Sequence, residues 1–266
     1  MHCDERAVPV LNGRGSVALV IAKAPVPGRV KTRLCPPLSS VEAAAVAEAA
    51  LADTLEAVSR CSADRLVLAL EGPPGPWLPA GFDVVEQRGG GLDERLAAAW
   101  HDAGGPGVQV GMDTPQLQAA DLDAALGLLE DHDAALGPAD DGGWWAIALR
   151  RPDPACFLGI PMSTDGTGRS QHDRLVALGL SVATLRTLRD IDDVVDLAAV
   201  AAAHPDLRVS AAAGLVPGTV LTSLEQRGAY RSSRVGTEHA GDRETHLVAR
   251  PEGLRQGGNE PHVPSP

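Results

Sequence analysis

"SVALVIAKAPVPGRVKTRLCPPLS", residues 16–39, decides how the rest of the chain is read. SVALVIA, 16–22, is a short apolar, β-rich run that ends in a proline-rich loop, which marks a buried strand. The loop places Lys23, Arg29, Lys31 and Arg33 within eleven residues that hold no acid. The whole chain has 23 lysines and arginines against 35 aspartates and glutamates, a formal charge of −12. Positive charge is therefore concentrated here against the grain of the composition. Pro25 and Pro27 fix φ and stiffen the backbone, and Gly28 permits a tight bend. Stiffly held cations suit a polyphosphate, because less entropy is lost on binding. Lys31 supplies a point charge, and Arg29 and Arg33 can make bidentate contacts to phosphate oxygens. The loop is neither a Walker A motif nor a GxGxxG turn. Taken alone, it also fits a solvated surface loop.

The pattern continues outward from that first strand. A helix is expected over 39–58, opened by Ser39 or Ser40, with Leu51, Leu55 and Val58 on one face. Strands follow at 65–70 and 82–87, a helix at 91–104 with Leu92, Leu96 and Ala99 inward, and a strand at 107–113. Residues 116–132 read as a helix and 133–150 as strand, loop, strand. Residues 170–180 are a helix, 181–188 a strand and 193–204 a closing helix. Strands alternating with helices specify an α/β fold with a mostly parallel central sheet and helices on both faces. From about residue 210 the apolar residues thin out, so the expected organisation is an N-terminal extension (1–15), one domain (16–209) and a disordered tail (210–266).

Composition excludes several classes. Hydrophobic content of 44% supports a core, and aromatics at 3% leave Ala, Val and Leu to build it. The acidic balance argues against nucleic-acid binding. Cys3, Cys35, Cys61 and Cys156 show no C-x-x-C spacing, so neither a zinc site nor a disulfide framework is expected. The N-terminus lacks a signal-peptide core, and no run of about 18 apolar residues exists to span a membrane. A cytoplasmic protein is the expectation.

In an open parallel sheet, ligands bind outside the carboxyl ends of the strands. The basic loop, Asp113, the Asp140–Asp141 pair and the Asp190–Asp192–Asp193 group all follow strands. Cations and acids would thus meet at one sheet edge. Asp113, in GMDTP, is either a turn or cap residue or a metal ligand; Mg²⁺ takes one or two carboxylates plus substrate phosphates. Asp190 and Asp192 alternate, so on an extended segment they point the same way and can complete a site with Asp113. Asp193 suits a helix N-terminus. Gly142 and Gly143 after Asp141 mark a hairpin turn or close backbone approach to a substrate. Of Trp144 and Trp145, which face opposite sides of a strand, one at most lines a cleft. Ser163, Thr164 and Asp165 form a capped turn or an acceptor-binding loop.

AKAPVPGRVKTRL, GGGLDERLAAAW, GMDTP, GPADDGGWWAIAL, PMSTDGTG and LRDIDDVVDL, in this order, resemble the radical-SAM/selenodomain-associated transferase 1 family, over roughly residues 16–200. The resemblance implies a GT-A-like, Rossmann-related nucleotide-binding fold and a glycosyltransferase-like activity. The KTRL element is also similar to one in guanylyltransferases of deazaflavin-cofactor synthesis. That implies phosphate roles for Lys31, Arg33 and Lys23, and metal roles for Asp113 and for Asp192 or Asp190. It sets Asp141 towards the second substrate. The expectation is a transferase that uses Mg²⁺ or Mn²⁺ and a nucleotide donor, with Asp113, Lys31 and Asp141 in catalysis. The donor is a nucleotide sugar or a nucleoside triphosphate, and the acceptor a small molecule. A non-catalytic nucleotide binder is the rival.

Overall fold

A computed structural model describes residues 15–215. Seven strands form one sheet: β1 (Val17–Lys23), β2 (Arg65–Glu71), β3 (Phe82–Glu86), β4 (Gly107–Gly111), β5 (Ala134–Pro138), β6 (Trp144–Leu149) and β7 (Val182–Thr184). Their order is β3-β2-β1-β4-β6-β5-β7. Only β6 runs antiparallel to its neighbours, so the sheet is mostly parallel, as the alternation of strands and helices requires.

Alternation along the strands builds a core on each face. On one face Ala18, Val20, Leu68, Leu70, Val108 and Val110 are buried. They pack against α1 (Ser40–Ser59) and α3 (Ala119–Leu128) through Leu51, Leu55 and Leu122. On the other, Val17, Leu19, Val67, Ile147 and Leu149 meet α2 (Leu92–Ala103) and α4 (Thr167–Ala177) through Leu96, Trp100 and Leu175. A third cluster lies outside the sheet. There Leu34 and Leu38 pack with Val46 and Ala50 of α1, with Leu197 and Val200 of α5 (Val194–Ala203), and with Val209 and Ala213 of α6 (Arg208–Ala213).

Several boundaries differ from the sequence expectation, α4 among them, which runs three residues earlier than 170–180. α3 starts at Ala119, because residues 114–118 form a turn and the Gln118–Asp121 capping box opens the helix later. β7 is three residues long; Leu185 still donates to Leu136, and Leu188 bridges Ala139 as the chain leaves the sheet. α6 runs across the boundary drawn at 209/210, so packed structure reaches into the segment expected to be tail. Residues 1–14 and the rest of the expected tail, 216–266, lie outside the described residues. No described helix is long and apolar enough to cross a membrane.

Candidate active site

β1, β4, β5 and β7 end at one edge of the sheet, and antiparallel β6 begins there. A cleft of about 580 Å³ opens at that edge. The basic loop forms one side of it. Gly28, with a φ of +78°, makes the bend, and Arg29 N–H closes the turn onto Val26 at 3.0 Å. Lys31 is itself left-handed, with φ 47°, unusual for a residue with a side chain. That conformation turns its ammonium inward, so the side chain is only 6% exposed. It pairs with the Asp113 carboxylate and donates to the Ile191 carbonyl. Leu34 and Leu38, buried in the third cluster, anchor the far end of the loop.

Two of the other three cations are also engaged. Arg33 Nη1 lies 2.6 Å from Asp192 Oδ2. Lys23 Nζ lies 3.4 Å from Glu71, which Arg95 also contacts at 2.8 Å. Arg29 is exposed and makes no ion pair among the described residues. The loop expected to hold phosphate therefore has three of its four cations paired with acids. Sequence alone could not show this, because Lys31 and Asp113 lie on different strand-end loops.

Backbone hydrogen bonds bring those acids together. Ile191 N–H donates to the Asp113 carbonyl at 2.8 Å, Asp140 N–H to Leu188 at 3.0 Å and Leu188 N–H to Pro138 at 3.1 Å. Segment 188–192 is thereby laced between the ends of β4 and β5. Asp113, Asp141, Asp190 and Asp192 all line the cleft. Burial pushes the Asp190 carboxyl up to about 7; the charges of Asp113 and Asp141 add to the shift and Lys31 opposes it. One Asp190 oxygen is buried without a partner. Asp193 instead caps α5, accepting from Val195 and Asp196 N–H, the helix-terminal role its position suggests. Asp140 faces Arg189 at 3.4 Å.

The opposite wall comes from the turn before β6 and the loop before α4. Asp141 Oδ1 accepts from Gly143 N–H at 2.8 Å. Gly142, with φ +88°, packs so closely on the Asp165 carbonyl that a Cβ would collide with it, and its own carbonyl accepts from Gly168. Ser163, Thr164 and Asp165 are exposed on the cleft, held by Thr167, whose hydroxyl donates to Pro161 and accepts from Thr164 N–H. Gly143 lines the cleft; Gly28 and Gly142 shape backbone without forming its wall. Trp145 is buried over Gly137 with its indole N–H on the Arg186 carbonyl, and Trp144 packs on the opposite face; both nonetheless line the cleft, where the sequence allowed one at most, at a point where the β5–β6 register shifts.

Three polar lining residues carry no obvious signal in the sequence: Gln87, Arg95 and Gln109. Gln87 follows β3 at the ligand edge and donates to Ala22 and Ala69 carbonyls, which the strand-end rule could have flagged. Gln109 sits mid-strand, where only burial reveals it.

The aspartates supply the hard oxygen donors that suit Mg²⁺ or Mn²⁺, and one Asp190 oxygen is left without a protein partner. Among the described residues no three side chains are already spaced as a closed metal cage. Mg²⁺ does not need one, since it draws much of its shell from substrate phosphate and water.

The bacterial family described as "uncharacterized protein conserved in bacteria" (DUF2064) matches residues 39–164. Over 170 residues the chain is 35% identical to 3-phospho-D-glycerate guanylyltransferase of Phenylobacterium zucineum, covering 58% of this chain and 74% of that protein. A solved structure from Desulfovibrio desulfuricans G20, of a candidate nucleotide-diphospho-sugar transferase, superposes with a TM-score of 0.68 at 27% identity. It covers 80% of this chain and 97% of that one. The fold is GT-A-like, and the chain belongs to the family of nucleotide-using transferases that includes this guanylyltransferase.

Proposed function

We propose that the chain is a nucleotidyltransferase that moves a nucleoside monophosphate, guanylyl foremost, from a nucleoside triphosphate to the phosphate of a small organic acid. The observation that carries this reading is the 35% identity to 3-phospho-D-glycerate guanylyltransferase, in a chain whose cleft joins a basic loop to aspartates. In the proposed reaction an oxygen of the acceptor phosphate attacks the α-phosphorus of the triphosphate. The bond from that phosphorus to the bridging oxygen breaks, and pyrophosphate leaves. The attacking oxygen is already ionised, so no base need remove a proton.

Asp113, with Asp190 or Asp192, would hold Mg²⁺ or Mn²⁺, which when bound neutralises phosphate charge and polarises the phosphoryl group. Lys31 orients the Asp113 carboxylate through its ion pair and brings a cation to the phosphates. Lys23, Arg29 and Arg33 stabilise the leaving pyrophosphate. Asp141 and the Ser163–Asp165 loop face the acceptor. The Desulfovibrio likeness supports a second reading, sugar transfer, in which the sugar–phosphate bond breaks and a nucleoside diphosphate leaves. The motif order that resembles the radical-SAM/selenodomain-associated transferases fits either chemistry.

The test is pyrophosphate release from GTP with 3-phospho-D-glycerate and Mg²⁺ or Mn²⁺. Turnover is expected, and Asp113→Asn should lower it by about 100-fold or more, as loss of a charge-stabilising group at a reacting phosphate does. Release of nucleoside diphosphate from a nucleotide sugar, with no pyrophosphate from any triphosphate, would replace this reading with sugar transfer.

A further inference from the structure

Gln109 lies in the middle of β4 and is 0% exposed. Neither its amide nitrogen nor its amide oxygen has a hydrogen-bond partner. Leaving a buried polar group unpaired costs about 1–3 kcal/mol, so such a residue calls for a ligand or a reason. Its neighbours across the sheet cannot help. They are Leu19 on β1 and Ile147 on β6.

Gln109 is nevertheless among the residues that line the cleft. The way down to it is over Gly111, the next β4 residue on the same face. A Cβ at Gly111 would meet nothing nearer than a backbone nitrogen at 4.0 Å, so the glycine leaves a gap in the cleft floor. Gln109 lies two strand residues, about 7 Å, further along β4 from that gap, the reach of a short carbon chain. Ile21, Leu96, Met162 and Trp144 also line the cleft and belong to the core on the sheet face of Leu19 and Ile147. All are apolar except at the Trp144 indole N–H, which is also buried and unpartnered. Beneath the lining thus lie two unpartnered donors, Gln109 Nε2 and Trp144 Nε1, and one unpartnered acceptor, Gln109 Oε1.

That donor and acceptor set selects among ligands. A lone carboxylate would use the donors but bring its charge against Gln109 Oε1. A lone hydroxyl would leave a donor idle. A carboxylate with a hydroxyl on the adjacent carbon satisfies all three, the carboxylate accepting and the hydroxyl donating. We propose that Gln109 is a specificity-determining residue that reads the 2-hydroxy-carboxylate end of a small phosphorylated acceptor lowered over Gly111. The inference rests on the nucleotidyltransferase reading for the acceptor's phosphate, which stays at the aspartate edge.

The experiment is calorimetric binding to the full chain of three probes. They are 3-phospho-D-glycerate, its analogue without the 2-hydroxyl, and glycerol 3-phosphate, which lacks the carboxylate. The wild type should bind the first at least about tenfold more tightly than either analogue, the factor expected of one lost buried hydrogen bond. Gln109→Met keeps the volume and removes the amide. It should bring the three affinities to within about twofold while melting no lower than the wild type, since an unpaired amide is lost. Gly111→Val should close the gap, abolishing acid binding while leaving stabilisation by GTP intact. Equal affinities for the three probes in the wild type, no saturable binding of any, or a preference unchanged in Gln109→Met would each overturn the proposal. If Gln109→Met fails to fold, wild-type discrimination and Gly111→Val decide. A pyrophosphate assay on the same samples separates the two readings: selective binding without transfer sinks the activity and leaves the subsite standing.

Discussion

Asp121, at the start of α3, shows how one carboxylate can tie distant segments together. It accepts from Arg186 Nε at 2.5 Å and Nη2 at 2.6 Å, and from Gln118 N–H at 2.8 Å. Burial alone would raise its pKa; the Arg186 hydrogen bonds, the Gln118 N–H and the guanidinium charge outweigh that and hold it below the usual range. A folded-state pKa below the unfolded one contributes stability that is present above the unfolded value, near 4, and lost as pH falls through the folded value. Asp121→Asn should therefore cost about 1–2 kcal/mol at neutral pH, the worth of a charge-assisted pair whose Arg186 partner is half exposed. Urea unfolding at neutral pH and near pH 3 checks this. The gap between variant and wild type should narrow on acidification, and a gap of constant size would remove the ionic contribution. Lys31 holds the same kind of residue-scale information at the site. Its basic character is visible in the sequence, but its left-handed backbone and its pairing with Asp113 come only from the fold.

At the scale of elements, α6 is a six-residue helix that could not stand alone, since isolated helices this short are marginal. Asp53 on α1 holds it. Its carboxylate accepts from Arg208 N–H at 3.1 Å, Val209 N–H at 2.9 Å and Arg208 Nη1 at 3.1 Å, satisfying donors at the start of α6 that the helix cannot. Asp53 is 5% exposed. Asp53→Ala should cost about 2–3 kcal/mol, more than an exposed cap, because it strands buried N–H groups. A shift in urea midpoint at unchanged slope would report it; a loss below half a kcal/mol would mean α6 is held by its apolar contacts alone. This helix also marks where sequence reading stops. The longer helices and the apolar strands are legible because periodicity and capping residues such as Ser39 and Glu42 are local. α6 has too few turns for periodicity, and its cap lies 155 residues away. The brevity of β7 is hidden for a similar reason. Its apolar run continues to Leu188, but pairing with β5 ends at Thr184 and the chain turns towards the cleft.

For the molecule as a whole, the rule that ligands gather at strand ends made most of the cleft legible. Basic loop, Asp113, Asp141, Asp190 and Asp192 do share one edge. What that rule cannot give is the balance of charge there. Five basic and five acidic side chains line the cleft, inside a chain of formal charge −12. A triphosphate approaching without a divalent ion meets a net-negative molecule and a cleft with no surplus of cations, so long-range electrostatics oppose it. With Mg²⁺ or Mn²⁺ the aspartates become part of the attraction, because the metal joins them to the phosphates. Nucleotide binding should therefore be coupled to metal. A ligand at about 100 times its Kd stabilises the state it binds by about 2.7 kcal/mol. For a domain of this size that is a rise in Tm of about 5–10 °C. Saturating GTP with Mn²⁺ should give a shift of that order, and EDTA should reduce it to about a degree or less. Raising ionic strength from about 10 to 150 mM shortens the screening length and weakens the net repulsion. Metal-free GTP should then bind no worse at the higher salt, the reverse of what a free cationic cradle would show. An equal shift in EDTA, falling steeply with salt, would mean that Lys23 and Arg33 break from their acids and, with Arg29, hold the triphosphate unaided.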